Sequence, residues 1–170
     1  RGLGDVYKRQ DKIQKYINNN TKAILPVHLY GQACDMEKIC KIAKKYNLKI
    51  IEDCAQAQGA KFKNKYVGSF GDVGCFSFYP TKILGTYGDG GFLTTNDPII
   101  YDKADMLRSH GLINREQSNQ FGYVSRMDSI QAAILIEKLK IFKDEIILRQ
   151  NIADKYRCLL KNDFILTFHF

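Results

Sequence analysis

At 170 residues, with 45% hydrophobic and 26% charged side chains, the chain has the size and composition of one ordinary globular domain. No apolar run approaches the roughly 18 residues that cross a bilayer, which argues against a membrane role. The formal charge of +8 has the sign for nucleic acid. The lysines, however, recur at helical spacing (Lys38, Lys41, Lys44 and Lys45; Lys138, Lys140 and Lys143), as on a solvated face, and no recognition motif accompanies them. No nucleic-acid partner is therefore expected, and the basic balance suits an anionic substrate such as a nucleotide diphosphate. The five cysteines form no CxxC pair. Three lie in apolar runs and read as buried free thiols of a reducing compartment, and no metal-site spacing occurs.

Residues 1–10 include no Met and share no pattern with the rest of the chain, so they read as a non-native leader. They lack the apolar centre of a secretory signal, which makes the cytoplasm the expected location. Residues 21–28 predict a buried strand blemished by Pro26. A loop through Tyr30 leads to Asp35, an N-cap for a helix over 36–46 with Ile39, Ile42, Ala43 and Tyr46 on one face. Asn47 stops that helix, and 48–52 predicts the next strand, completing a βαβ unit with parallel strands. Ala60–Phe62 and Tyr66–Val67 predict a small hairpin around Asn64, followed by strands over 73–79 and 91–95. Asp97-Pro98 opens a helix running to about Ser109, and a polar loop occupies 111–120. From Met127 to about Lys161 the pattern is helical, read as two helices with a bend near Ile141. Residues 164–170 look like a strand cut short, so the chain reads as a piece of a longer protein.

Two charged residues close strand-like runs. Asp53 ends Leu48-Lys49-Ile50-Ile51-Glu52-Asp53, and Lys82 follows Val73-Gly74-Cys75-Phe76-Ser77-Phe78-Tyr79-Pro80-Thr81. A glycine-rich run, Gly85-Thr86-Tyr87-Gly88-Asp89-Gly90-Gly91, comes next. In an open α/β sheet, ligands collect beyond the C-terminal strand ends. A carboxylate, an amine, the Ser77 hydroxyl and a flexible glycine loop there suit pyridoxal phosphate. Lys82 would condense with the aldehyde and later shuttle a proton, and Asp53 would keep the ring nitrogen protonated. Gln56 is placed to bond the ring hydroxyl, and Ser77 the phosphate. His110, after a helix, faces a substrate or caps that helix, and Tyr30 and His28 at another strand end carry the same ambiguity. There is no Ser-His-Asp triad, no Walker lysine loop and no GxGxxG fingerprint.

Several ordered blocks carry a resemblance. They are Pro26-Val27-His28-Leu29-Tyr30-Gly31-Gln32, Ile51-Glu52-Asp53-Cys54-Ala55-Gln56, Gly68-Ser69-Phe70-Gly71-Asp72 and Cys75-Phe76-Ser77-Phe78-Tyr79-Pro80-Thr81-Lys82. Gly88-Asp89-Gly90-Gly91, Arg108-Ser109-His110-Gly111 and Ser125-Arg126-Met127-Asp128-Ser129-Ile130-Gln131-Ala132-Ala133 complete the set. Together, residues 21–160 resemble the sugar aminotransferases of the DegT/DnrJ/EryC1/StrS family, which are fold type I pyridoxal-phosphate enzymes. The resemblance implies an α/β fold, a mostly parallel sheet flanked by helices in three layers. Residues 11–126 would form part of its cofactor-binding large domain, and 127–170 helices leading into a truncated C-terminal small domain. It implies that Lys82 anchors the cofactor, Asp53 pairs with the ring nitrogen, Gln56 contacts the ring hydroxyl and Ser77 the phosphate. Such enzymes usually take nitrogen from glutamate, act on nucleotide-linked keto sugars and work as homodimers.

Tyr79-Pro80-Thr81-Lys82 with Tyr87-Gly88-Asp89-Gly90-Gly91 resembles the branch that handles 3-keto sugars. The 4-keto branch more often shows a histidine before the lysine and a GEGG run. One position departs from the family: Val124 stands where an asparagine commonly reaches the neighbouring subunit's phosphate site. The expected function is amino transfer to a nucleotide-linked keto sugar, for surface glycans or a glycosylated metabolite, with the 170-residue piece inactive by itself. Two alternatives stay open. One is a dehydratase or decarboxylase of the same fold, although relatives that dehydrate carry histidine in place of the lysine. The other is a non-catalytic pyridoxal-phosphate-binding module, to which Val124 points.

Overall fold

The computed structural model describes residues 12–160. The leader expected at 1–10 and the strand expected at 164–170 lie outside the described residues. The described residues divide into two compact units, 12–76 with 92–125, and 77–91 with 126–160.

The first unit is built on a parallel sheet. After a single helical turn, α1 (Ile13–Tyr16), strand β1 (Ala23–Ile24) pairs in parallel with β2 (Lys49–Asp53), Ala23 opposite Lys49 and Ile24 opposite Ile50. The strand expected over 21–28 is cut to two residues because Pro26 has no N–H to give the ladder. Pairing resumes beyond it as an isolated parallel bridge between Val27 and Asp53. Helix α2 (Met36–Tyr46) connects the two strands as predicted. Asp35 caps it by accepting from Lys38 N–H at 3.1 Å, and Asn47 ends it in the left-handed conformation, φ 52°. Glu37 in its first turn and Lys44 and Lys45 in its last complement the helix dipole.

The apolar face of α2 makes the main core. Met36, Ile39, Ile42 and Ala43 pack with Ile24 and Ile50, and Ile13, Ile17, Leu48 and Phe70 close the edges. Ile39 is 1% exposed. Truncating it to Ala removes buried methyl groups and leaves a cavity, so chemical denaturation should show a loss of about 2–5 kcal/mol.

A short hairpin of β3 (Lys61–Phe62) and β4 (Lys65–Tyr66) comes after β2. Positive φ at both Lys63 and Asn64 gives the turn the twist that two-residue hairpins need. Strand β5 (Val73–Ser77) then returns to the sheet and lies in parallel on the other side of β2, with Ile51, Glu52 and Asp53 opposite Val73, Gly74 and Cys75. Strand β6 (Gly91–Thr94) completes the order β1-β2-β5-β6. Phe78 N–H donates to Gly90 O beyond one end of β5 and Thr95 Oγ1 to Asp72 O at the other, so β6 runs antiparallel to its neighbour. Helix α3 (Pro98–Arg108) starts on Asp97, which accepts from Ile99 N–H at 2.9 Å. The fold is thus a mostly parallel sheet with flanking helices.

In the second unit, helix α4 (Ser129–Leu159) runs unbroken for 31 residues. The bend expected near Ile141 is missing because the segment holds no Pro or Gly and keeps its hydrogen-bond ladder throughout. Its inner face supplies Leu135 and Phe142 to a cluster with Phe78, Leu84 and Met127. Among the described residues, no helix is long and apolar enough to cross a membrane.

Candidate active site

The C-terminal end of β2 is held from both sides. Asp53 N–H donates to Pro26 O at 2.8 Å, His28 N–H donates to Asp53 O at 3.0 Å, and Cys54 N–H donates to Cys75 O at 2.8 Å. Asp53 is half-buried, and its Oδ1 accepts from Ala55 N–H at 3.0 Å, which turns the chain out of the strand. Three residues on, the exposed Gln56 accepts from Tyr30 N–H at 3.2 Å. Tyr30 has a left-handed backbone, φ 55°, in the turn Leu29–Gly31, and its side chain is 57% exposed. The structure therefore gathers Asp53, Gln56 and Tyr30 at one strand end.

Directly behind Asp53 is a buried carboxylate that no sequence motif singles out. Glu52 is fully buried. One oxygen accepts from Phe70 and Gly71 N–H, both at 2.7 Å, and the other from Gly68 N–H at 2.8 Å and His28 Nε2 at 3.0 Å. His28 is also fully buried, and its Nδ1 accepts from Cys34 N–H at 3.0 Å. An acceptor nitrogen carries no proton, so the ring is the Nε2–H tautomer and donates to Glu52. Burial alone would raise the Glu52 carboxyl, but the bond from His28 and the three backbone amides outweigh it and hold it below its ordinary value.

Glycine makes this approach possible. Gly68 has φ 80°, and a Cβ there would lie 2.5 Å from the Phe76 ring. A Cβ on Gly74 would lie 2.5 Å from Gly68 Cα. A signal for Glu52 did exist in the sequence. A parallel strand buried on both faces reads as an unbroken apolar run, and a glutamate inside one marks a committed partner.

His28, Glu52 and Cys54 also place three potential metal ligands within 4.8 Å of one another. Glu52 already accepts four hydrogen bonds, and burial pushes the Cys54 thiol up to about 12, so the cluster is a hydrogen-bonded core rather than a ligand set. All five cysteines are free. Cys54 is buried as expected, Cys34 and Cys40 are half-buried, and Cys75 and Cys158 are exposed.

In the second unit, Ser77 ends β5 half-buried, its Oγ accepting from Tyr79 N–H at 3.2 Å. Lys82 is half-buried in the next turn, with its N–H on Tyr79 O at 2.9 Å. The glycine-rich run is shaped rather than loose. The buried Thr86 donates its N–H to Phe78 O at 2.7 Å, and its hydroxyl lies 2.5 Å from Gly88 O. From α4, Gln131 Oε1 accepts from Tyr87 N–H at 2.9 Å and Lys138 Nζ donates to Gly85 O at 2.5 Å. Lys138, read from spacing as a solvated residue, is instead half-buried and braces this loop. His110 follows α3 with φ 62°, and its N–H donates to Tyr123 O. Val124 is 70% exposed and bridges to Ser109.

The first unit thus carries Asp53, Gln56 and Tyr30 at one strand end, and the second carries Ser77 and the half-buried Lys82. Carboxylate, amide, hydroxyl and amine are the residue types that pyridoxal-phosphate chemistry uses. The profile of the DegT/DnrJ/EryC1/StrS aminotransferase family matches residues 6–168. The chain is 52% identical over 154 residues to the dTDP-3-amino-3,6-dideoxy-alpha-D-galactopyranose transaminase of Aneurinibacillus thermoaerophilus, covering 91% of this chain and 42% of the relative. It is 49% identical over 127 residues to the pleiotropic regulatory protein of Geobacillus stearothermophilus, covering 75% and 34%. The crystal structure of S. venezuelae DesV in complex with a ketimine intermediate superposes with a TM-score of 0.86 at 38% identity, over 90% of this chain and 41% of that one. The chain thus spans about two-fifths or less of the length of these relatives. It belongs to the DegT/DnrJ/EryC1/StrS aminotransferase family, whose aminotransferases depend on pyridoxal phosphate.

Proposed function

We propose that the protein carrying this chain transfers an amino group from glutamate to a nucleotide-linked keto sugar, a 3-keto-6-deoxyhexose, in the making of an amino sugar for surface glycans or a glycosylated metabolite. The observation that carries this reading is Lys82 within Phe76-Ser77-Phe78-Tyr79-Pro80-Thr81-Lys82, in a chain 52% identical to a transaminase whose product is a 3-amino sugar nucleotide. The same reading assigns residues 11–126 to the cofactor-binding large domain and 127–170 to helices leading into a small domain. It also takes the working form to be a homodimer. The cytoplasm suits five free thiols.

When bound, pyridoxal phosphate supplies an electron sink for the carbon that carries the migrating nitrogen. The chain's own residues do the rest. Lys82 would hold the cofactor through its Nζ and, when free, would carry a proton to and from that carbon. Asp53 would keep a proton on the ring nitrogen, Gln56 would orient the ring through its hydroxyl, and Ser77 would fix the phosphate. Tyr30 and His110 are assigned to the sugar side.

A second reading, a cofactor-binding regulatory module, draws on the name of the Geobacillus relative and on Val124. One experiment separates the two. The protein, expressed at the full length its gene encodes, is incubated with pyridoxal phosphate, reduced with borohydride and mapped by mass spectrometry. It is then assayed with glutamate and a 3-keto nucleotide sugar. A pyridoxyl group on Lys82 with formation of 2-oxoglutarate supports the transaminase. A folded protein with no adduct overturns it, and an adduct without turnover favours the regulatory module.

A further inference from the structure

Glu52 is an expensive choice in terms of stability. A carboxylate taken fully out of water costs several kcal/mol, and well-packed apolar residues in place of a buried pair are often as stable or more so. Four donors offset that cost here, drawn from two separate segments, residues 68–71 and His28. The return must lie in what the arrangement holds still.

Successive residues of a strand point to opposite faces. Glu52 therefore reaches into the core while Asp53 turns to the other side of the sheet, and one peptide unit joins them. His28 grips that unit at two points: its main-chain N–H holds Asp53 O and its ring holds the Glu52 carboxylate. Through Nδ1 the same ring also fixes Cys34 N–H, closing a loop from His28 to Cys34 that carries Tyr30. Tyr30 N–H in turn orients Gln56.

We propose that Glu52 and His28 are positioning residues for the cofactor end of β2, setting Asp53 directly and Gln56 through the Tyr30 loop. This inference rests on the pyridoxal-phosphate reading of the site. Groups that pair with a cofactor must be held within about 0.5 Å of their working position, by neighbours whose own geometry is fixed.

The tautomer gives the test its edge. In Glu52→Gln, one carboxylate oxygen becomes an NH2 facing donors. The histidine can relieve this only by moving its proton to Nδ1, which then confronts Cys34 N–H. His28→Leu removes the donor altogether. His28→Gln restores one donor and one acceptor.

The experiment uses the full-length protein and these three variants, at a temperature where each is folded by circular dichroism. Three quantities are read: the Kd for pyridoxal phosphate, the pH midpoint of the bound cofactor's visible absorbance, and amide exchange at residues 28–34 and 68–71 in the cofactor-free protein. Glu52→Gln and His28→Leu should bind about tenfold more weakly, with a displaced midpoint and faster exchange in both segments. His28→Gln should recover most of the affinity lost in His28→Leu. Folded Glu52→Gln with wild-type Kd and midpoint would show a purely structural carboxylate and overturn the proposal. Failure of the wild-type protein to form the Lys82 adduct would instead sink the cofactor reading, and this inference with it.

Discussion

Replacing Lys82 with Ala should abolish the borohydride-fixed pyridoxyl adduct and lower amination by at least about 10²–10⁴-fold, the range for loss of a positioned proton-transfer group. The fold should hardly notice. Lys82 contributes its N–H to the turn on Tyr79 O, and alanine keeps that bond. Among the described residues, the bonds that brace the loop come from Thr86, Gln131 and Lys138. Thermal stability should stay within about 0.5 kcal/mol of wild type. Loss of turnover at unchanged stability assigns the amine to chemistry, whereas an active Lys82→Ala protein would remove the foundation of the transaminase reading.

The largest stability effect is expected at Glu52. In Glu52→Leu the buried amide of Gly68 and the buried ring N–H of His28 lose their acceptor, as do the half-buried amides of Phe70 and Gly71. Each unsatisfied buried donor costs about 1–3 kcal/mol, so the two fully buried ones alone should cost the variant about 2–6 kcal/mol. That is a large share of the roughly 5–15 kcal/mol that holds a domain together. Urea denaturation of the full-length protein measures it, and a loss under about 1 kcal/mol would contradict the geometry.

Acid adds a second signature. Burial works against the ionised Glu52, yet His28 and the backbone amides prevail and depress its carboxyl below the ordinary 4.5. A group depressed on folding contributes stability that is full above its unfolded value and lost as pH falls through the folded one. Wild-type stability should therefore decline below about pH 4.5, and the decline should be shallower in Glu52→Gln. Asp72 and Glu37 are depressed too, Glu37 to about 2, so some acid slope persists in the variant.

What is legible in the sequence and what is hidden divide along the range of the contacts. Helix α2 is legible because its cap, apolar face and stop all lie within thirteen residues, Asp35 to Asn47. The turn at Lys63 and Asn64 and the start of α3 at Asp97-Pro98 are equally local. The length of β1 differs from expectation because Pro26, weighed as a blemish, ends the ladder outright. The single long α4 stands where two helices are expected, and its sequence indeed offers no breaker. Glu52 and Lys138 escape for another reason. Their partners lie 16 to 24 and 53 residues away, and no periodicity records which distant amide a carboxylate or ammonium will meet. Asp53, Gln56 and Lys82 stand out because their residue types sit at strand ends, where sheet topology alone concentrates ligands.

The neighbours at Glu52 and Asp53 also bear on how such a chain diversifies. An aspartate at the first position is one methylene too short to reach both His28 and residues 68–71. At the second, the carboxylate that accepts from Ala55 N–H turns the chain out of the strand. The dipeptide thus resists drift at both letters at once. The Tyr30 side chain, 57% exposed, answers to no such packing, and exposed side chains of that kind usually tolerate substitution at under about 0.5 kcal/mol.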